Sequence, residues 1–183
     1  RHIESNNYVL ITDDLKIPSS GNGSLFCGRT SALWIYATTD TSYVRFAPGG
    51  DTVQYFDARP DIHNVVKLMT NVNIADKLVL NGWLDIQSYH VNMLPGASVP
   101  PNGIAGHQSP QKFYIVAEKG GTLTADVPPN TTVPFSLGTY DAYLPFIILP
   151  SNTTPLNRIT VGIKKGVQAN GNFGASVSSH NPW

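Results

Sequence analysis

Five histidines are the first residues to test for chemistry: His2, His63, His90, His107 and His180. A transition-metal centre needs ligands at short fixed spacings, such as H-x-H or H-E-x-x-H. The five form no H-x-H and no H-E-x-x-H. Asp13-Asp14 is the only adjacent acidic pair, and it reads as a solvated turn before Leu15. A calcium held by loop oxygens would use such carboxylates, but the D-x-D-x-D-G run of a calcium loop does not accompany them. Glycoside hydrolysis asks for two carboxyl groups flanking the scissile bond, and the only glutamates are Glu4 and Glu118. No G-x-S-x-G marks a nucleophilic serine, and no phosphate-binding glycine loop opens a helix. Cys27, between Phe26 and Gly28, reads as a small apolar residue rather than a nucleophile, and a single cysteine excludes an internal disulfide. The expectation is a protein without catalytic residues, metal or cofactor.

Residues suited to recognition are easier to find. The Pro-flanked segment 95–110 is a long irregular stretch, and such stretches are often functional. It contributes Asn102, His107 and Gln108 as candidate receptor- or glycan-binding residues. Gly138-Thr139-Tyr140-Asp141 reads as an exposed turn, with a stacking ring in Tyr140 and an acceptor in Asp141. Trp83 and Tyr89 share a strand face with polar neighbours, whereas Trp34, inside Ala32-Leu33-Trp34-Ile35-Tyr36-Ala37-Thr38, is assigned to the core. Three Asn-x-Ser/Thr triplets begin at Asn22, Asn130 and Asn152, all in turn-rich sequence where a glycan could be carried.

The elements that must position these residues read as strands. Short runs of Val, Ile, Leu, Tyr and Phe alternate with 16 Gly, 14 Pro and many Asn, Thr and Ser. Candidate strands fall at 7–12, 32–38, 42–46, 52–56, 63–69, 78–80, 83–91, 112–118, 122–127, 133–137, 143–149, 158–167 and 173–177, with no amphipathic helix among them. Residues 42–46 should pair back on 32–38 as a hairpin. Lys119-Gly120-Gly121 should close another between 112–118 and 122–127. No internal repeat of roughly 20–50 residues is visible, which argues against a solenoid or propeller. The expected fold is therefore all-β, an antiparallel β-sandwich, jelly-roll-like, of about ten strands in one domain spanning 1–183.

Composition narrows the partners. Twelve basic and twelve acidic residues balance, and charged residues make up only 13% of the chain, against about 25% in ordinary domains. Without a basic arm, direct nucleic-acid binding by counterion release is not expected. No apolar run reaches the ~18 residues of a helical membrane span, so no membrane insertion is expected. The opening Arg1-His2-Ile3-Glu4-Ser5 carries neither Met nor a signal pattern, which suggests a chain cut from something longer.

The turn style resembles capsid and spike domains of small non-enveloped viruses. The resemblance rests on Val127-Pro128-Pro129-Asn130-Thr131-Thr132-Val133-Pro134-Phe135, on Leu149-Pro150-Ser151-Asn152-Thr153-Thr154-Pro155-Leu156 and on the strand Arg158-Ile159-Thr160-Val161-Gly162-Ile163. It implies a protruding or shell domain on a virion surface, self-associating into a symmetric oligomer or particle and attaching to a host receptor or glycan. The alternatives are a secreted carbohydrate-binding module or lectin and, third, a β-sandwich hydrolase.

Overall fold

The structure, a computed structural model, describes residues 2–5, 9–12, 23–37, 41–60, 64–97, 113–150, 157–164, 168–169 and 172–173. The chain winds in successive circuits. The first holds β1 (His2–Ser5) and β2 (Val9–Thr12), the next β3 (Ser24–Cys27), β4 (Ala32–Ala37) and β5 (Ser42–Val44). The long β6 (Phe46–Pro60) and β7 (Val65–Leu68) follow, then β8 (Val72–Leu80) and β9 (Trp83–Asp85), then β10 (His90–Met93) and β11 (Ile115–Val116). The last parallel circuit contains β12 (Thr122–Val127), β13 (Val133–Phe135) and β14 (Leu137–Gly138). β15 (Phe146–Ile148) and β16 (Asn157–Gly162) run back, and β17 (Gln168–Ala169) and β18 (Asn172–Phe173) form a small ribbon.

Each circuit lays its strands parallel on those of the circuit before. One wall stacks β2, β4, β6, β8, β10 and β12, closed by the antiparallel β16; a second stacks β5, β7, β9, β11 and β14; and β1, β3 and the start of β6 form a third, shorter stack. Leu33 pairs with Phe56 and Phe56 with Leu78, so a circuit takes roughly 20 residues. The step from Leu84 to Ile115 is longer because it contains the Pro-flanked segment 95–110.

This is a β-solenoid, all-β as expected but not the antiparallel sandwich or jelly roll. Both expected hairpins are absent. β5 pairs in parallel with β7 rather than folding back on β4, and β11 pairs with β9 and β14 rather than with β12. A Gly-Gly turn is as usable at a solenoid corner as in a hairpin. Local turn chemistry does not say which strand the chain meets next. Nor does a solenoid need a repeat visible in sequence, because the circuits repeat in shape while their residues and lengths differ.

Burial explains the stack. β4 alternates, with Leu33, Ile35 and Ala37 buried and Ala32, Trp34 and Tyr36 half-buried on the outer side. In register behind the buried set come Phe56 and Ala58, then Leu78 and Leu80. The opposite wall supplies Val66, Leu84, Ile115 and Leu137, one above another. These inward columns meet as one continuous core. Trp34, assigned to the core from sequence, belongs instead to the outer face.

Candidate functional site

The face outside β4, β6 and β8 collects the described aromatic and cationic side chains most suited to recognition. Parallel register puts Trp34 beside Asp57, Tyr36 beside Arg59 and Tyr55 beside Lys77. Asp57 is fully buried beneath this layer; its Oδ2 accepts from Arg59 Nε at 2.7 Å and its Oδ1 from Asn81 Nδ2 at 3.0 Å. Held there, the Arg59 guanidinium lies 5.7 Å from the Trp34 ring centroid and 5.9 Å from that of Tyr36. The Asp57 hydrogen bond raises the Arg59 pKa above its ordinary value, and only one of the five guanidinium N–H donors is spent on it. Trp34 and Tyr55 meet edge to face at 6.3 Å. The Trp34 indole N–H is buried without a hydrogen-bond partner among the described residues. Burial, then the Asp57 charge, raises the Tyr55 pKa and keeps its hydroxyl protonated.

A second cluster sits at the corner between β9 and β14, and contains two residues singled out from sequence. Tyr140, 37% exposed, leans edge to face on Trp83 at 6.0 Å. Its hydroxyl donates to Asp85 Oδ2 at 2.7 Å, and its backbone N–H donates to Glu118 Oε1 at 2.9 Å. Burial and the Asp85 contact raise the Tyr140 pKa far above its ordinary value. Asp85 is buried, and Gln87 wraps it with both its backbone N–H and its side-chain amide. A left-handed backbone at Gln87, φ 53°, makes that double grip possible. Lys67 lies 4.0 Å from Asp85 and 6.0 Å from the Tyr140 ring. Asp141 is exposed, in a turn where Thr139 Oγ1 accepts from the N–H of Asp141 and of Ala142. Tyr140 is thus a brace whose hydroxyl is already engaged, and Asp141 is the accessible member of the pair. Asn102, His107 and Gln108 lie outside the described residues.

Side-chain ladders run across β6, β8, β10 and β12. Asn73 Nδ2 donates to Asp51 Oδ2 at 3.1 Å, and Asn92 Nδ2 donates to Asn73 Oδ1 at 2.8 Å. Arg158 ends the row, donating to Asn92, to the Met93 carbonyl and to Asp126. Beside it His90 bridges Thr122 and Thr124, and Thr124 meets Thr160 at 2.7 Å.

Asp57 and Asp85 each have both carboxylate oxygens engaged, so they orient Arg59 and Tyr140. Among the described residues no three His, Cys, Asp or Glu converge as a metal centre. Burial pushes the Cys27 thiol up to about 11, which removes thiolate at neutral pH. Sequence reasoning missed Trp34, Tyr36, Tyr55 and Arg59 as a group. The available signal was the alternation of Trp34 and Tyr36 with Leu33 and Ile35. Neither a family model, nor a curated protein, nor a solved structure matches the chain.

Proposed function

We propose that this protein is an attachment module that binds a glycan across the Trp34–Tyr36–Tyr55–Arg59 face. The observation that carries the reading is the cluster itself. Aromatic surface and a guanidinium fixed by a buried carboxylate lie side by side on one outer face. A sugar ring offers C–H groups to aromatic surface and hydroxyls to fixed donors, and this face supplies both. The near-neutral composition agrees, since binding here does not depend on long-range charge.

Of the virion roles expected from the turn-rich stretches, the protruding, receptor-facing one suits a solenoid. A lectin uses the same geometry and differs in whether the chain belongs to a particle.

Binding of the purified chain to an array of neutral and acidic oligosaccharides tests the proposal. Trp34→Ala and Tyr36→Ala should each weaken the selected glycan by about tenfold or more, the range for aromatic hot spots. Thermal unfolding should stay cooperative. A chain that retains no glycan, or variants that bind like the parent, would remove this face from consideration.

A further inference from the structure

All five exposed large hydrophobic residues among the described ones fall in one short stretch: Tyr140, Leu144, Phe146, Ile147 and Leu149. The last four are 48%, 54%, 63% and 68% exposed, against an otherwise well-buried apolar set. No charged residue occurs from Ala142 to Asn157. Phe146 and Leu144 also line a groove whose other wall is Thr160, Val161, Gly162 and Ile163 of β16 and the residue after it. Side chains of this size carry roughly 150–250 Å² when aromatic, so the strip presents about 400–500 Å² of apolar surface. A stable dimer needs about 800 Å² per partner. The strip supplies more than half of that, and the groove walls adjoin it.

The backbone says how a partner would engage. β15 pairs antiparallel with β13, Val133 opposite Ile148, Pro134 opposite Ile147 and Phe135 opposite Phe146. Proline has no N–H, so Pro134–Ile147 is the pair that exchanges no ladder hydrogen bonds. Phe146 and Ile148 therefore spend their peptide groups on β13, and Ile147 directs its N–H and C=O to the opposite edge. The far edge of β13 carries the Pro134 carbonyl without a donor, so the ribbon can grow only at β15. Native edges are commonly protected by charge, and this one has none.

We propose that β15 is a dimerisation strand, two copies of this chain pairing their β15 edges antiparallel across a two-fold axis at Ile147. Ile147 then exchanges both peptide hydrogen bonds with Ile147 of the second copy. Leu149 N–H of each copy reaches the Pro145 carbonyl of the other. Pro145 and Pro150 bound the paired segment. Both open edges are consumed, so the assembly closes as a dimer rather than extending as a filament. Across the junction Ile147 meets Ile147 of the second copy on one face and Phe146 lies opposite Ile148 on the other, so apolar side chains pack laterally on both faces.

Sedimentation and site-specific crosslinking test this. The wild-type chain should sediment at twice its 19.8 kDa, in a concentration-dependent equilibrium. Ile147→Lys should weaken self-association by at least about tenfold, as a charge at an interface centre does. Its far-ultraviolet spectrum should not change, because Ile147 is exposed. Directly opposed residues in such a pair have Cα atoms about 5.5 Å apart, within disulfide range. Ile147→Cys should therefore oxidise to a covalent dimer, while Thr131→Cys in the exposed turn after β12 should not, and the buried Cys27 should stay out of the reaction. A wild-type chain that remains monomeric at its highest soluble concentration would overturn the proposal; the strip would then be covered by the chain's own segments. So would a dimer untouched by Ile147→Lys and Phe146→Ser, or equal crosslinking at 131 and 147.

Discussion

Asp57 and Arg59 show how a buried carboxylate shapes this surface without touching the solvent. Asp57 costs desolvation, which two hydrogen bonds from Arg59 and Asn81 offset, and in return the guanidinium is pinned over Trp34 and Tyr36. Trp34 was legible as a strand residue but not as an outward one. An apolar strand in an internal position has both edges paired, and that says nothing of which face is wet. His90 carries a consequence for pH. Burial, and secondarily the Arg158 charge, lower its pKa below the ordinary 6.5. The neutral ring, one nitrogen donating and one accepting, suits the two threonine hydroxyls it bridges. A depressed histidine pKa contributes stability that is present above 6.5 and is lost as pH falls through the folded value. The melting temperature should therefore fall between pH 7 and pH 5, and His90→Gln should flatten that part of the profile. An unchanged slope in the variant would assign the effect to other groups.

At the scale of the element, in-register parallel stacking explains the choice of residues. Strands about 4.8 Å apart bring equivalent side chains of successive circuits together, so like charges repel while amides and hydroxyls bond along the stack. Asn73 and Asn92, direct partners in β8 and β10, follow this rule, and Asp51, next to Asn73's partner Thr52, extends the row. Asn73→Asp sets a second carboxylate against Asp51, and should cost about 1–3 kcal/mol at pH 7. Repulsion raises the pKa of that carboxylate in the folded state, so the loss should shrink as pH falls toward the ordinary carboxylate range near 4. Asn73→Ala should show no such recovery, and chemical unfolding of both variants across pH makes the comparison. Identical pH profiles would contradict the register that joins β6 to β8. The strands themselves were largely legible from β-branched and aromatic runs between breakers. Their partners were not, because Asp40-Thr41 and Gly120-Gly121 fit a hairpin and a solenoid corner equally well.

For the whole molecule, the low charge seen at the outset has a structural cause: a stack of parallel circuits tolerates few like-charged neighbours. The same circuits hide their repeat. Leu33, Phe56 and Leu78 share a column and an apolar character, whereas Trp34, Asp57 and Val79 share a column and nothing else. A search for recurring residues passes over a recurring shape. Of the candidate site, Tyr140 and Asp141 were legible as a loop pair, and the Trp34 face was not, because it joins residues from separate circuits. That face exists only if β4 and β6 run parallel and in register. The most direct measurement is therefore the pattern of cross-strand backbone contacts in the isotopically labelled protein by solution NMR. The account predicts contacts from Trp34 to Asp57 and from Tyr36 to Arg59, advancing in the same direction along both strands. Antiparallel contacts joining Ala32–Ala37 to Ser42–Val44 would contradict it.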